Sequence, residues 1–200
     1  MSFHLPKMIA TLVAAHLLLV ATAAPAHKLR LRGEAVAVAG STVTVTPSRD
    51  WNTLSRKVGK NTETWTVDGE QLNDVTFFAG IPAGMPLVRE RSKKRDPLPK
   101  FTKTTLLVEI PELLEGTYRT YKNSGSFRLL SSEPGRFLGK DGVSFAYEFI
   151  DVDELTRRGE ALAAIIDDKL YMITFEAPRL NYFDAMASDF RALASSAVLR

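Results

Sequence analysis

The residue types that most often perform acid–base and metal chemistry are almost missing from this chain. Its three histidines are His4, His16 and His27, and it contains no cysteine. A Ser-His-Asp or Cys-His catalytic unit, or a zinc site of imidazole and thiolate ligands, therefore has no residues to use beyond position 27. Disulfides are excluded as well. We predict a protein that is not an enzyme, with no catalytic residues, no cofactor and no metal.

Carboxylates are the remaining candidates for chemistry. Glu176 follows the apolar run 169–175, and as a buried acid it would suit glycoside hydrolysis if a second carboxylate lay about 5–9 Å away. No sequence feature identifies that second acid, so we interpret Glu176 as a strand-end charge paired with an arginine such as Arg179. A carboxylate-based hydrolase stays as an alternative, and two acids in one cleft would support it.

Positive charge is concentrated in one segment. The chain has a net charge of +3, yet the stretch from Arg89 to Lys103 alone carries seven basic and two acidic residues. Such a segment can bind the phosphate groups of an anionic lipid surface or an acidic envelope protein. The competing interpretation is a loop whose charges only keep it hydrated. The predicted anion-binding residues are Arg89, Arg91, Lys93, Lys94, Arg95, Lys100 and Lys103.

Large aromatic side chains suggest a second kind of site. Trp65, Phe77 and Tyr147 could line an apolar pocket of roughly 300 Å³ or more, and the chain would then carry a small apolar ligand between a sheet and its helices. Ordinary core packing is the competing interpretation, because aromatic side chains bury large areas. The carrier function is kept as an alternative.

The first 26 residues read as an export signal. Lys7 precedes an apolar stretch from Met8 to Ala24, and small residues follow as Ala24-Pro25-Ala26. A basic start, an apolar centre and an A-x-A end are typical of a cleaved secretory signal peptide. We predict cleavage after Ala26 or Ala23 and a periplasmic or secreted protein. An uncleaved anchor in the inner membrane is the alternative.

Alternating and β-branched residues predict strands through much of residues 27–200, which we expect to form one domain. Glu34–Val38 and Thr42–Thr46 form a predicted hairpin, and Asp68-Gly69 is a turn signal between two further strands. Residues 81–103 show no sustained period and form a predicted basic loop. The other predicted strands are 64–67, 75–78 (ended by Gly80), 126–131, 143–150, 158–166 and 169–176.

Two segments have helical periodicity. Residues 105–122 place Leu107, Ile110, Leu114, Tyr118 and Tyr121 on one face, with Pro111 as a kink or a first helical position. After Asn181, a candidate N-cap, the closing helix aligns its apolar residues Phe183, Met186, Phe190 and Leu193. Helices packed against an antiparallel sheet predict the α+β class.

The order of these elements resembles a known fold. Phe145-Ala-Tyr-Glu-Phe, Arg157-Arg-Gly-Glu-Ala and Leu170-Tyr-Met-Ile-Thr-Phe, followed by an amphipathic helix, resemble the PsbP-like α/β/α sandwich, and DcrB-type periplasmic lipoproteins look similar. Trp65-Thr-Val-Asp-Gly is similar to a stretch of uncharacterised exported proteins of Gram-negative bacteria. The resemblance covers mainly residues 105–196, and the chain lacks the lipidated cysteine of the lipoproteins.

The resemblance and the charge pattern together lead to one functional hypothesis. Members of this fold class mostly act as binding or assembly modules, so the resemblance implies such a role at the cell envelope. We expect an envelope protein or an anionic lipid surface as the partner, with the segment 89–103 as the contact. Nucleic acid is not expected as a partner, because export removes the chain from it.

Overall fold

A computed structural model describes residues 28–92 and 94–200. The predicted signal peptide, residues 1–26, lies outside the described residues, as does Lys93 of the predicted anion-binding set. Within the described part of the chain, no helix has the length and apolar character needed to cross a membrane.

A large antiparallel sheet forms the centre of the fold. Its strands are β1 (Lys28–Arg30), β4 (Trp51–Thr53), β5 (Thr62–Thr66), β6 (Asp74–Pro82), β7 (Phe127–Phe137), β8 (Lys140–Ile150), β9 (Thr156–Ile166) and β10 (Lys169–Pro178). They lie in the order β1-β4-β5-β6-β10-β9-β8-β7. The short strands β2 (Val36–Ala37), β3 (Val43–Val45) and β11 (Val198–Leu199) form a second sheet in the order β11-β3-β2. The predicted hairpin is therefore present as β2 and β3.

One helix packs on each face of the large sheet. Helix α1 (Ile110–Tyr121) has Pro111 in its first turn, where the missing N–H costs no hydrogen bond, and helix α2 (Tyr182–Ser195) follows β10. Of the predicted apolar face of α1, Ile110, Leu114 and Tyr118 are buried and Tyr121 is half-buried, but Leu107 precedes the helix, which begins at Ile110 and not at residue 105. The predicted apolar face of α2 is buried: Phe183, Met186, Phe190 and Leu193. The α+β prediction is confirmed.

The alternation of β10 divides the interior into two cores. Ile173, Phe175 and Ala177 belong to the core under α2, and Leu170 and Met172 belong to the core under α1. Because successive side chains of a strand point to opposite faces, one central strand serves both helices, and it is apolar almost throughout. This pattern places the last residues of β10 on the α1 face at every second position, which includes Glu176.

Several predicted boundaries are wrong. Gly80 does not end its strand, since β6 continues to Pro82 with Gly80 at a φ of 81°. Asn181 occupies the N-cap position of α2, but its side chain makes no capping hydrogen bond. Strands β1, β4 and β11 have two or three residues each, and runs this short carry no periodic signal; only their pairing with neighbouring strands defines them.

The basic loop is packed against the α1 core along much of its length. The described residues between 83 and 106 form no helix and no strand, only isolated bridges such as Pro86 to Lys100. Four apolar side chains of the loop are buried in that core: Leu87, Val88, Leu98 and Phe101. The basic loop is thereby held in place by its own apolar residues.

Candidate functional site

A polar cleft of about 280 Å³ lies between the C-terminal end of α1 and the face of the large sheet that α1 covers. Its lining includes Thr64 and Thr76 from the sheet and Tyr121 from α1. Val88 and Arg91 bring the basic loop to the same cleft. The cleft thus combines residues that are far apart in the sequence, and it includes one member of the predicted anion-binding set.

Three paired positions across the sheet place acids and a hydroxyl side by side. Glu176 on β10 is the register partner of Asp74 on β6 and of Gly159 on β9, and Gly159 is the partner of Tyr147 on β8. A Cβ atom on Gly159 would lie 2.3 Å from Cζ of Tyr147. The tyrosine ring therefore lies across the glycine, and its hydroxyl donates a hydrogen bond of 2.8 Å to Oε1 of Glu176.

Glu176 is fully occupied by donors. It is 1% exposed, and it accepts hydrogen bonds from the hydroxyls of Tyr118 and Tyr147 and from the ammonium group of Lys122. Lys122 also lies over the rings of Tyr118 and Phe149, at 4.5 and 4.7 Å from their centroids. A buried carboxylate that accepts from two hydroxyls and a paired ammonium is a satisfied structural group.

Burial and the neighbouring charges together keep Tyr118, Tyr147 and Lys122 in their usual protonation states. Burial, followed by the negative charge of Glu176, raises the pKa of the Tyr118 and Tyr147 hydroxyls well above their ordinary values. Burial alone would lower the pKa of Lys122, but the charges of Glu176 and Asp74 outweigh it, so that pKa is raised. Neither tyrosine is therefore an accessible base near neutral pH.

Asp74 is the group of the cleft whose pKa lies near neutral pH. Burial, and then the charge of Glu176, raises its pKa to about 7, although the nearby Lys122 acts in the opposite direction. Its side chain is half-buried, and its hydrogen bond from Thr76 reaches Oδ1 at 3.3 Å. Within residues 28–92 and 94–200, no group bonds its second oxygen. One carboxyl oxygen at the cleft is thus available to a ligand.

The predicted ion pair between Glu176 and Arg179 is wrong. Arg179 lies 3.8 Å from Glu148 instead, while a lysine and two tyrosines surround Glu176. The second acid that the sequence did not identify is Asp74. The two acids share a cleft, as a carboxylate hydrolase requires, but Glu176 has no free oxygen and no exposed surface with which to attack a substrate.

Most cations at the cleft are neutralised by acids. Arg157 contacts Asp151 and Asp153 at 2.8 and 2.9 Å, and Arg56 contacts Glu70 at 3.2 Å. Each of these acids is therefore already paired with an arginine. In the part of the chain that the structure describes, no group of three or more metal-ligating side chains is present.

Arg91 differs from those cations. Its guanidinium carbon lies 5.0 Å from the centroid of the Tyr121 ring, a cation–π contact that orients the group without using its N–H donors. Among the described residues, no carboxylate pairs with it.

The basic loop exposes the predicted anion-binding side chains. The six that the structure describes are all exposed: Arg89, Arg91, Lys94, Arg95, Lys100 and Lys103. Lys103 forms an ion pair of 2.7 Å with Asp168. No described acid forms an ion pair with the four that remain after Arg91 and Lys103, namely Arg89, Lys94, Arg95 and Lys100.

The predicted apolar pocket residues are not brought together. Trp65 and Phe77 pack edge to face at 4.9 Å in the core under α2, whereas Tyr147 lies in the core under α1. The large sheet separates them, and all three are at most 2% exposed. Each side chain therefore contributes to core packing.

One feature of the sequence indicates the site. Gly159 lies inside a predicted strand, and a glycine in such a position often marks a close approach of another group. Asp74 and Lys122 had no comparable signal, because a strand-end acid and a helix-end lysine are common on protein surfaces.

Comparisons with known proteins establish the fold. The solution structure of the cyanobacterial PsbP protein (CyanoP) from Synechocystis sp. PCC 6803 superposes with a TM-score of 0.56 at 12% identity, covering 90% of this chain and 96% of that chain. The chain has a PsbP-like fold. The resemblance noted from the sequence is thereby confirmed for the fold. An identity of 12% does not show that the two proteins share a function.

Weaker likenesses exist to two other solved structures. The Ran-binding protein Mog1p of Saccharomyces cerevisiae has a TM-score of 0.47 at 10% identity, covering 85% of this chain and 96% of that chain. LpqN, involved in cell envelope biogenesis of Mycobacterium tuberculosis, has a TM-score of 0.34 at 7% identity, covering 88% of this chain and 86% of that chain. No protein-family model matches the PsbP-like chain, and no curated protein sequence is significantly similar to it.

Proposed function

We propose that this PsbP-like chain is a non-catalytic binding module that acts outside the cytoplasm and contacts an anionic surface of the cell envelope through the basic loop. The observation that carries the proposal is the group of exposed cations on the basic loop that have neither an acidic partner nor an aromatic ring contact among the described residues: Arg89, Lys94, Arg95 and Lys100. The basic loop that bears them is fixed by buried Leu87, Val88, Leu98 and Phe101.

Anchoring the loop increases what its charges contribute to binding. An ordered loop loses little conformational entropy when it meets a surface, and each lysine or arginine near an anionic membrane contributes about 1 kcal/mol. Four such charges correspond to a roughly hundred- to thousandfold gain in affinity at low salt. The interaction weakens as salt rises, because exposed charges are screened over about 8–10 Å.

Two observations support a role without catalysis. The chain beyond position 27 has no histidine and no cysteine, so the most common nucleophilic and acid–base units are unavailable. The buried acid Glu176 is occupied by three donors. The predicted signal peptide supports a location outside the cytoplasm.

The experiment measures binding of the purified protein to vesicles that contain phosphatidylglycerol, with phosphatidylcholine vesicles as the neutral comparison. The test variant carries Arg89→Gln, Lys94→Gln, Arg95→Gln and Lys100→Gln. A matched control removes two exposed lysines and two exposed arginines elsewhere, through the substitutions Lys28→Gln, Arg32→Gln, Lys140→Gln and Arg200→Gln.

We expect the test variant to lose most of its affinity for anionic vesicles while the control keeps it. Equal losses in both variants would attribute binding to net charge and overturn the role of the basic loop. An affinity that does not change with salt concentration would also overturn the role of the basic loop. If only an acidic envelope protein is captured, in a salt-sensitive manner, the lipid surface is excluded as the partner.

A further inference from the structure

We propose that the cleft beside α1 binds a small zwitterionic ligand of the amino-acid class, with its ammonium group at Asp74 and its carboxylate at Arg91. This inference does not rest on the proposed contact between the basic loop and an anionic surface. It rests on which charged groups at the cleft are free and which are already paired.

The free acceptor is the second carboxyl oxygen of Asp74. The other acid deep in the cleft, Glu176, already accepts three hydrogen bonds, and Glu70 and Asp151 are paired with arginines. A half-buried carboxylate that lacks a full set of donors gains strongly from a ligand that brings one. An ammonium group supplies up to three donors and the opposite charge.

The free donor is the guanidinium of Arg91. Lys122, Arg56 and Arg157 also line the cleft, but each is paired with an acid. Arg91 lies over the Tyr121 ring at 5.0 Å, and no described residue accepts a hydrogen bond from its guanidinium, so its N–H donors can bind a carboxylate through two parallel hydrogen bonds. One unpaired acid and one unpaired cation in the same cleft favour a ligand that carries both charges and is neutral overall.

The size of the cleft and its apolar lining narrow the class of ligand further. A cleft of about 280 Å³ lies just below the usual range for small-molecule sites, which starts at about 300 Å³, so it suits a small molecule. Val58, Val88, Phe78 and the ring of Tyr121 supply apolar wall. An amino acid with an aliphatic or aromatic side chain would bury that side chain there while its two charges are paired.

The test titrates L-leucine, L-phenylalanine and L-alanine into the protein at pH 8. Binding is measured from the NMR chemical shifts of the cleft residues. At that pH Asp74 is mostly ionised, because burial and the charge of Glu176 raise its pKa to about 7. Leucinamide, which lacks the carboxylate, and 4-methylpentanoate, which lacks the ammonium group, test each end on the unmodified protein. Probe concentrations reach about 10 mM, which detects dissociation constants near 1 mM.

We expect saturable binding of leucine or phenylalanine, and a loss of about 10- to 100-fold when either charged end of the probe is removed. Asp74→Asn and Arg91→Gln should each weaken leucine binding by a similar factor. Arg89→Gln, on the same basic loop but not lining the cleft, should leave it unchanged.

Three outcomes overturn the inference. The first is no saturable binding of any of the three amino acids at about 10 mM. The second is binding that leucinamide and 4-methylpentanoate match. The third is binding that survives both Asp74→Asn and Arg91→Gln in variants that fold. The inference and the vesicle contact are separable, because the four loop substitutions that test the vesicle contact leave Asp74 and Arg91 in place.

Discussion

The approach of Tyr147 to Gly159 gives the sharpest test of the cluster around Glu176. In Gly159→Ala, the added Cβ would meet two ring carbons of Tyr147 at 2.3 and 2.5 Å and its hydroxyl oxygen at 2.7 Å, whereas carbon atoms in contact stand about 3.5–4.0 Å apart. The ring must therefore move by more than ~1 Å. Tyr147 is fully buried and stacked against Phe127 at 5.1 Å, so it has no open space to enter.

The expected loss follows from two costs and one gain. Overpacking a buried site costs about 1–3 kcal/mol, and losing the hydrogen bond to the charged Glu176 costs about 1.5–3 kcal/mol. A glycine-to-alanine change in an uncrowded strand would instead gain about 0.5–1 kcal/mol from backbone entropy. We therefore expect Gly159→Ala to lower the free energy of unfolding by about 2–5 kcal/mol.

Urea unfolding followed by circular dichroism measures this change, and Gly125→Ala is the control. Nothing lies within 4 Å of a Cβ at Gly125, so that variant should stay within about 0.5 kcal/mol of the native protein. Tyr147→Leu removes the clashing ring, so Gly159→Ala should cost at least ~2 kcal/mol less in that background. A Gly159→Ala variant as stable as the native protein would refute the proposed packing. Strictly additive effects of Gly159→Ala and Tyr147→Leu on the free energy of unfolding would refute it as well.

Two further predictions concern the charges of the cleft. The native state holds the Asp74 proton up to about pH 7, while the unfolded chain releases it near 3.8, so the contribution of Asp74 to the unfolding free energy should fall by roughly 2–4 kcal/mol between about pH 4 and 8. Asp74→Asn should be close to the native protein in stability at about pH 4 and exceed it progressively up to pH 8; parallel pH curves would contradict this. Glu176→Gln should cost about 2–4 kcal/mol in urea unfolding because Lys122 loses its carboxylate, and adding Lys122→Met should recover part of that loss; no recovery would rule out the ion pair as the cause.

The sequence by itself determined the element order from α1 to the end of α2. The strong periodicities of β8, β10 and α2 are local properties, and each specifies which residues are buried without knowledge of the neighbours. Asp167 and Asp168 are the two residues left between the predicted strands 158–166 and 169–176, and both adopt positive φ in the tight turn between β9 and β10. The charge of the basic loop was equally visible, although the burial of its apolar residues was not.

Only the tertiary structure decided the cleft and the partners of its acids. Strand register placed Asp74 beside Glu176, although they are about a hundred positions apart in the chain, and the C-terminal end of α1 brought Lys122 and Tyr118 over them. The sheet also placed Trp65 and Tyr147 in different cores. These relations depend on how strands pair and which face a helix covers, and no local pattern records either, because the same alternation is compatible with many registers.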